Sequence, residues 1–599
     1  MFSGIKITEV RIRNFRSLEN VNVKLDNFTV IVGENNSGKS NFIDAISFAI
    51  GFNRPRFGEN DIYIKKDENK IDKNMEVLID LLIRPSDPKG NSVSEFQKES
   101  PWIGLWGSGI NIDSNNCEFV GIRTKIAWDF GEGDYKVQRK FLKEWVDNPA
   151  KILESGIGGN LNWEKIEPLS FYAMDANRDI SKDFKNLNTP WKRMTSNLQL
   201  SESKIKEFED MFQKFNENLT DSSVVLSTIQ KEFDDLSKLL NSKQGSVLVK
   251  GIPQNILDLS KRIELDFATR DARSFPLEYH SSGTRSISSV LLFKIFLLLQ
   301  KNSKKNCAFH TFLAIEEPES HLHPHAASSF LNYIKKMDGQ RIITTHSPSL
   351  LRECDLFSLR RFVKAGEKTE VIQLNSLELS NNDDKQIIMR KVLKTNGEIL
   401  FSKALILFEG EETEDQAFPI YARKYWGNHP SALGISMVSV NGQNYGPFIK
   451  LARTFKIPWF IFSDGEEKTK RDLQKILMEN NCDITCSNVF IIPDGKNYEK
   501  YIATKEYKDV LIEVIISQKG KNKEHKKSLE IKWKSASLGD ISNELEKGNG
   551  KRTYAEPVAE AIINVEDKRL RIPTLIKDLF KKVSDDLNFE QGDAFFNES

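Results

Sequence analysis

The chain has 599 residues, 39% hydrophobic and 29% charged, which excludes a disordered protein and exceeds what one core can hold; about three or four folding units are expected. With 86 basic and 85 acidic side chains its formal charge is +1, so no global basicity advertises nucleic acid. Residues 1–25 lack the apolar centre of a secretion signal, and no run approaches the ~18 apolar residues of a membrane span, so a cytoplasmic protein is expected. The five cysteines, Cys117, Cys307, Cys354, Cys482 and Cys486, form no paired metal motif and are expected as buried free thiols.

Residues 5–13 (IKITEVRIR) alternate as a half-buried strand does, a turn falls at residues 14–17, and residues 21–25 form a second strand. Residues 28–32 (FTVIV) are a β-branched apolar run of the kind buried on both faces, ending at Gly33. Gly33, Gly38, Lys39 and Ser40 then satisfy G-x-x-x-x-G-K-[ST], and Phe42, Ile43, Ala45, Ile46 and Ala49 make a helical stripe. In this strand, loop, helix order the loop amides and the helix start form an anion site. Asn36 lies in the loop, Lys39 adds a point charge and Ser40 a Mg²⁺ ligand, so a nucleoside triphosphate, ATP, is expected here. Residues 75–83 and 119–130 read as strands of an antiparallel lobe, with Trp102, Trp106 and Trp128 as core aromatics.

From Ser201 a heptad seam begins. Ile205, Phe208, Phe212, Phe215 and Leu219 are spaced 3, 4, 3, 4, and Leu226, Ile229, Phe233, Leu236 and Leu240 repeat the pattern. A helical hairpin with arms of roughly 30 Å is expected, either a small bundle or a dimer contact. A polar turn at residues 281–286 then feeds a strongly apolar helix, with Ser282 and Gly283 at its start. Residues 312–315 are a second buried strand that delivers Glu316 and Glu317 to the carboxyl edge of a sheet. There Glu316 can hold Mg²⁺ through water and Glu317 can polarise an attacking water. A third strand, residues 341–345, leads to His346, a candidate partner of the γ-phosphate.

NFRS, GENNSGKS, HSSGTRS, IEEPESHLHP and TTHSP, in that order, resemble the ABC-type ATPase heads of the SMC and recombination-protein group. The IEEPESHLHP form is most similar to the heads of the OLD (overcoming lysogenization defect) family. The resemblance spans about residues 1–365 and implies head-to-head pairing, in which Ser282 and Gly283 of one subunit close over ATP held by Lys39 and Ser40 of the other. The signature turn departs from the usual L-S-G-G-Q at Thr284 and Arg285, which puts tight closure and fast turnover in question.

A new unit starts near Lys403. Residues 404–408 and 459–462 are buried strands, and each ends in acids, Glu409 in the first and Asp464 and Glu466 in the second. Two parallel strand tips bearing carboxylates make a cradle for divalent cations, and the strand, Asn441-Gly442 turn and helix between them suit a βαβ crossover. This half resembles the Toprim domain of OLD nucleases, whose motifs V-E-G-x-T-E and D-x-D imply metal-binding roles for Glu409, Glu414, Asp464 and Glu466. The first motif carries one extra residue here, so Glu412 is an alternative to Glu414. The resemblance extends to Glu499 as a later acid and to Lys551 as the cation facing the scissile phosphate. Residues 519–534, with seven lysines around Trp533, are either a phosphate-tracking loop or a solvated surface loop.

The expected fold class is α/β: an ABC-type ATPase head, a mixed sheet with helices, in residues 1–195 and 246–395, a helical dimerisation insert in 196–245, and a Rossmann-like Toprim domain in 396–599. The resemblance implies an ATP-hydrolysing DNA endonuclease in which two Mg²⁺ or Mn²⁺ ions, ~4 Å apart, activate water and stabilise the leaving oxygen. It further implies a homodimer or larger assembly without a membrane partner, and frequently a role in defence against bacteriophage. Some members act with a helicase-like protein, as in Gabija systems, or with a reverse transcriptase and its DNA–RNA hybrid (msDNA), as in retrons. Two rivals are an SMC-like ATP-gated DNA clamp with an inactive Toprim domain, which needs far longer arms, and a Toprim topoisomerase or primase, which needs a further domain.

Overall fold

A computed structural model describes residues 4–51, 57–64, 72–146, 156–176, 200–227, 266–267, 275–276, 279–303, 307–373, 388, 397–410, 412–547 and 550–589. Strands β1 (Ile5–Phe15) and β2 (Leu18–Lys24) form a hairpin, and β3 (Phe28–Gly33) leaves it for another sheet. With β4 (Val77–Pro85), β5 (Ile110–Ile112), β6 (Glu118–Asp129), β7 (Asp134–Leu142) and β8 (Ile157–Asn160) the hairpin builds an antiparallel sheet in the order β2-β1-β4-β6-β7-β8, β5 pairing with β6. The inward residues of β4, Val77, Ile79, Leu81 and Ile83, share a core with the helix Lys39–Ile50, and strict alternation is lost because Asp80 and Arg123 of β6 are buried as an ion pair.

The second sheet takes β3 together with β9 (Phe171–Met174), β12 (Phe312–Glu316), β13 (Gln340–Thr345), β14 (Leu359–Ala365) and β15 (Lys368–Gln373), ordered β15-β14-β3-β13-β12-β9. All its pairs are parallel except β14·β15. Parallel strands covered on both faces favour apolar runs, which β3 supplies from Val30 to Val32, whereas the fully buried β13 keeps only Ile342 and Ile343 apolar and buries polar residues on either side of them. The pair β10 (Asp266–Phe267) and β11 (Phe275–Pro276) stands apart. The third sheet, β16 (Ala404–Phe408), β17 (Ile435–Ser439), β18 (Trp459–Ser463) and β19 (Val489–Ile491), is wholly parallel in the order β17-β16-β18-β19. One continuous core joins the second and third sheets: Val30, Val32 and Ile343 share it with Leu405, Leu407, Val438 and Ile461. The other face of the third sheet packs on helices Glu414–Trp426, Lys508–Lys519, Gly550–Ile562 and Thr574–Leu587.

Several expectations are corrected. Trp102 and Trp106 are buried, whereas Trp128 is half-exposed, edge-on to Tyr135 and beneath the Lys73 ammonium. Among the thiols only Cys354 is buried; Cys307 is exposed and the other three are intermediate. The lysine-rich run is no loop: it lies in the end of helix Lys508–Lys519 and in helix Lys523–Lys534, because Asn522 caps the second helix and Trp533 anchors it in the core. Helix Glu202–Ser222 carries the predicted seam, yet Phe215 is 49% exposed, while Asn216 and Thr220 along the seam's edge are buried. Ile229, Phe233, Leu236 and Leu240 of the second arm lie outside the described residues. Among the described residues no helix is long and apolar enough to cross a membrane.

Gln340 fastens the two head sheets. Its amide accepts from Ile7 N (2.7 Å) and donates to Ile7 O (2.8 Å), and it lies 3.0 Å from Nε2 of the fully buried His310. Burial pushes His310 down to about 4, against the opposing hydrogen bond with Gln340. An unfolded histidine titrates near 6.5, so the unfolded chain takes up a proton that the folded chain refuses, and stability falls as pH drops from about 6.5 towards 4. Thermal melts of wild type and His310→Gln across that window should differ by up to ~1.4 kcal/mol per pH unit, the wild type falling faster. Parallel pH profiles would show that His310 carries no such penalty.

Candidate active site

The parallel sheet of the head brings its strand ends to one edge. β3 ends at Gly33, where a Cβ would lie 2.2 Å from the Phe362 carbonyl oxygen, so only glycine lets the loop turn against β14. Gly38, at φ 95°, starts the helix Lys39–Ile50 and is wedged between Thr369 and Ser17. Lys39 is buried, and its ammonium binds the carbonyls of Gly33 (3.1 Å) and Glu34 (2.8 Å). Burial draws it down to about 8 against the pull of Glu317, Glu316 and Glu34. Ser40 Oγ donates to Glu316 at 2.9 Å, which joins the first residues of the loop helix to the tip of β12. Burial raises the Glu316 carboxyl above its usual range.

Glu317 sits in the left-handed region (φ 42°), held there by bonds from its N–H to Thr344 O (3.0 Å) and Thr344 Oγ1 (3.2 Å). Strain of this kind at a sheet edge persists only where the surroundings over-determine it. His346 Nε2 lies 3.7 Å from Glu317, and burial and the Lys39 charge lower the imidazole, with Glu317 opposing. The half-buried Glu319 accepts from Thr345 Oγ1 (2.5 Å) and His346 N (3.1 Å) and so fixes the His346 backbone. Asn36, exposed at φ 63°, forms the loop's outer corner. Ser282 and Gly283 begin the helix Ser282–Ser303 against His321. Among the described residues no hydrogen bond joins them to Lys39 or Ser40.

The acids of the third sheet gather at the tips of neighbouring strands, since Phe408 of β16 pairs with Phe462 of β18. Glu409 accepts from Ser463 Oγ (2.6 Å), and burial raises it despite that bond. Asp464 Oδ1 accepts from Tyr498 N (3.0 Å). Burial, then the charges of Glu409 and Glu499, push Asp464 up to about 7. Glu414, in the first turn of its helix, is 6% exposed; burial, then Asp464, with Glu499 adding, push it up to about 8. Its carboxylate lies across Gly410, where a Cβ would come 1.9 Å from Oε2, and Gly465 likewise clears Ile492 O. Each strand tip therefore pairs its acid with a glycine.

Glu499 accepts from Thr413 Oγ1 (3.1 Å) and meets Lys551 Nζ (3.5 Å). Burial pulls Lys551 down, but Glu499, Glu414 and Asp464 together hold it above its ordinary value. A small pit opens beside this pair, walled by Tyr498, Ile502, Leu545 and Tyr554. Glu466 caps the helix Glu467–Glu479, and its charge reaches Glu409.

Among the described residues no group of three or more His, Cys, Asp or Glu side chains is arranged to hold a metal ion, because several of these carboxylates face protein donors. Glu412, weighed against Glu414, faces Arg552 in a surface pair at 3.0 Å, whereas Glu414 lies within the acid cluster. The donor set nonetheless fits hard divalent cations in kind: it is all carboxylate oxygen, and mutual repulsion of buried acids is what a cation relieves. Sequence reasoning missed Ser463, Glu319 and Thr413; all three stand within two residues of a predicted acid, and that adjacency is the signal that could have found them.

Fold and edge chemistry together define the class: an ABC-type ATPase head joined to a parallel Toprim sheet. The chain belongs to the AAA ATPase domain family, whose model matches residues 5–91 and 118–351, more than half its length. Residues 400–465 match the model of the overcoming lysogenization defect protein-like TOPRIM domain. The chain is 24% identical over 473 residues to the Old nuclease of Escherichia phage P2, covering 75% of each. It is 22% identical over 500 residues to the endonuclease GajA of Bacillus cereus strain VD045, covering 80% of this chain and 78% of that one. Among solved structures, an SMC head bound to the winged-helix domain of ScpA aligns at TM-score 0.36 and 18% identity, over 63% of this chain and 99% of that chain.

Proposed function

We propose that this protein is an ATP-binding and ATP-hydrolysing, divalent-metal-dependent DNA endonuclease that acts as a homodimer or larger assembly in defence against bacteriophage. The observation that carries it is the gathering of Glu409 and Asp464, at adjacent parallel strand tips, with Glu414, Glu499 and Lys551 from three helices, in a chain whose other parallel sheet ends in a phosphate loop. The names of the relatives, a nuclease and an endonuclease, support the same reading.

In the head, Lys39 neutralises phosphate charge, Ser40 and Glu316 orient the cation that accompanies ATP, Glu317 polarises the attacking water, and His346 donates towards the terminal phosphate. Ser282 and Gly283 complete the site from a second copy, and the exposed seam of helix Glu202–Ser222 is a dimer contact. In the nuclease half Glu409, Glu414, Asp464 and Glu466 hold Mg²⁺ or Mn²⁺, with Glu499 steadying Lys551. Bound there, the metal supplies a more acidic water and stabilises the leaving 3′ oxygen. Lys551 faces the scissile phosphate and offsets its charge.

Supercoiled plasmid should be nicked or linearised with Mg²⁺ or Mn²⁺ and left intact in EDTA. Cutting that survives chelation would remove the metal from the account. The rival, an ATP-gated clamp on an inactive Toprim sheet, requires plasmid binding without any cut. A helicase-like or reverse-transcriptase partner stays a proposal that co-purification tests.

A further inference from the structure

One segment touches both candidate sites. Gly397–Phe401 is a short 3₁₀ helix that runs into β16, the strand at whose tip Glu409 stands. On the head side the Phe401 ring stacks on the His346 imidazole, with centroids 6.2 Å apart and planes inclined by 30°. Gly397 lies so near Pro348 that a Cβ would come 3.0 Å from its carbonyl oxygen. His346 in turn faces Glu317 and stands in the field of Lys39.

The same segment is held from a second direction. Arg361 of β14, 5% exposed, donates from Nε to Leu400 O (3.0 Å), from Nη2 to Ser402 O (2.8 Å) and from Nη1 to Phe455 O (2.8 Å). Leu400 and Ser402 lead into β16, and Phe455, which closes the helix Tyr445–Thr454, leads into β18 with Asp464 behind it. Thus one guanidinium fixes the approaches to both acid-bearing strands. It does so from beside the phosphate loop, since Arg361 pairs with Val32 and the next carbonyl, Phe362 O, abuts Gly33. A buried charge is tolerated only when its N–H groups are satisfied, and charge-assisted bonds from a planar fork hold geometry that a lysine ammonium cannot reproduce. The continuous core of the second and third sheets leaves a displacement at this point little room to dissipate.

We propose that Arg361 is a positioning residue for Glu409 and Asp464, and that with Phe401 it makes residues 397–402 the relay through which nucleotide at Lys39 is felt at the nuclease sheet. The proposal deepens the reading of an ATP-linked nuclease and rests on it. Two discrete arrangements of the relay, biased by the nucleotide, are what coupling between the sites requires.

The test is hydrogen exchange of the full-length protein with and without a non-hydrolysable ATP analogue, read on peptides spanning 397–410 and 455–464. In wild type the analogue should slow exchange there at least threefold. Phe401→Tyr, which keeps the ring, should retain the effect; Phe401→Leu and Arg361→Lys should lose it while binding the analogue within threefold of wild type and melting within a few degrees of it. The proposal is overturned if wild type shows no change in these peptides, or if Phe401→Leu responds as wild type does. Should Arg361→Lys not fold, the tyrosine and leucine pair decides alone. Exchange coupling in a wild type that cuts no DNA would sink the nuclease reading and leave the relay standing.

Discussion

Asp464→Asn should lower metal-dependent plasmid cleavage roughly 10²- to 10³-fold, the usual cost of deleting one group aimed at charge that develops in the transition state. The substitution keeps the volume and an oxygen that can still accept from Tyr498 N, and it removes a carboxylate that burial and the neighbouring Glu409 and Glu499 already disfavour. Because the folded Asp464 titrates near 7, well above an unfolded aspartate, its contribution to stability is present at low pH and lost as pH rises through that value. The variant, having no such group, should therefore melt at or above wild type in metal-free buffer at pH 8. Lost cleavage with an unchanged or raised Tm separates a chemical role from a folding defect; full cleavage would end the assignment.

Lys39→Ala should weaken ATP binding about 10- to 100-fold, as expected when a charge-assisted contact worth about 1.5–3 kcal/mol is lost. The structure adds a reason for a larger effect on turnover than on binding. Lys39 is buried among Glu316, Glu317 and Glu34, so its removal leaves those acids facing one another without its charge and takes a donor from the carbonyls of Gly33 and Glu34. Equilibrium binding of a fluorescent ATP analogue and single-turnover phosphate release read the two effects separately. Wild-type affinity in Lys39→Ala would move the nucleotide elsewhere.

Much of this was legible before the fold was known, and for a physical reason. Phosphate loops and acid-tipped strands are local: one strand, one turn and one helix fix where Gly33, Lys39, Glu316, Glu409 and Asp464 stand, and each is written in fewer than about twenty adjacent residues. What adjacency does not encode was missed. Arg361 draws its meaning from Leu400, Ser402 and Phe455, carbonyls far along the chain that only packing brings to it. Glu412 and Glu414 part by position, which the motif does not encode: Glu414 begins the helix Glu414–Trp426 and is buried, while Glu412 precedes it and pairs with Arg552. The lysine run misled because composition resembles a loop, whereas Leu529 and Trp533 at i, i+4 give it one apolar stripe that docks in the core. The donors that surround the acids were likewise not written beside all of them. Carboxylates that share a site still need donors, and here Ser463, Tyr498, Thr413 and Lys551 provide them.

The most direct test of the central claim is a calorimetric Mn²⁺ titration of nucleotide-free protein, wild type against the Glu409→Gln, Asp464→Asn double variant. Strand tips built to hold a cation predict saturable binding in wild type that disappears in the double variant. Equal stoichiometry and affinity in both would mean that these acids bind no metal.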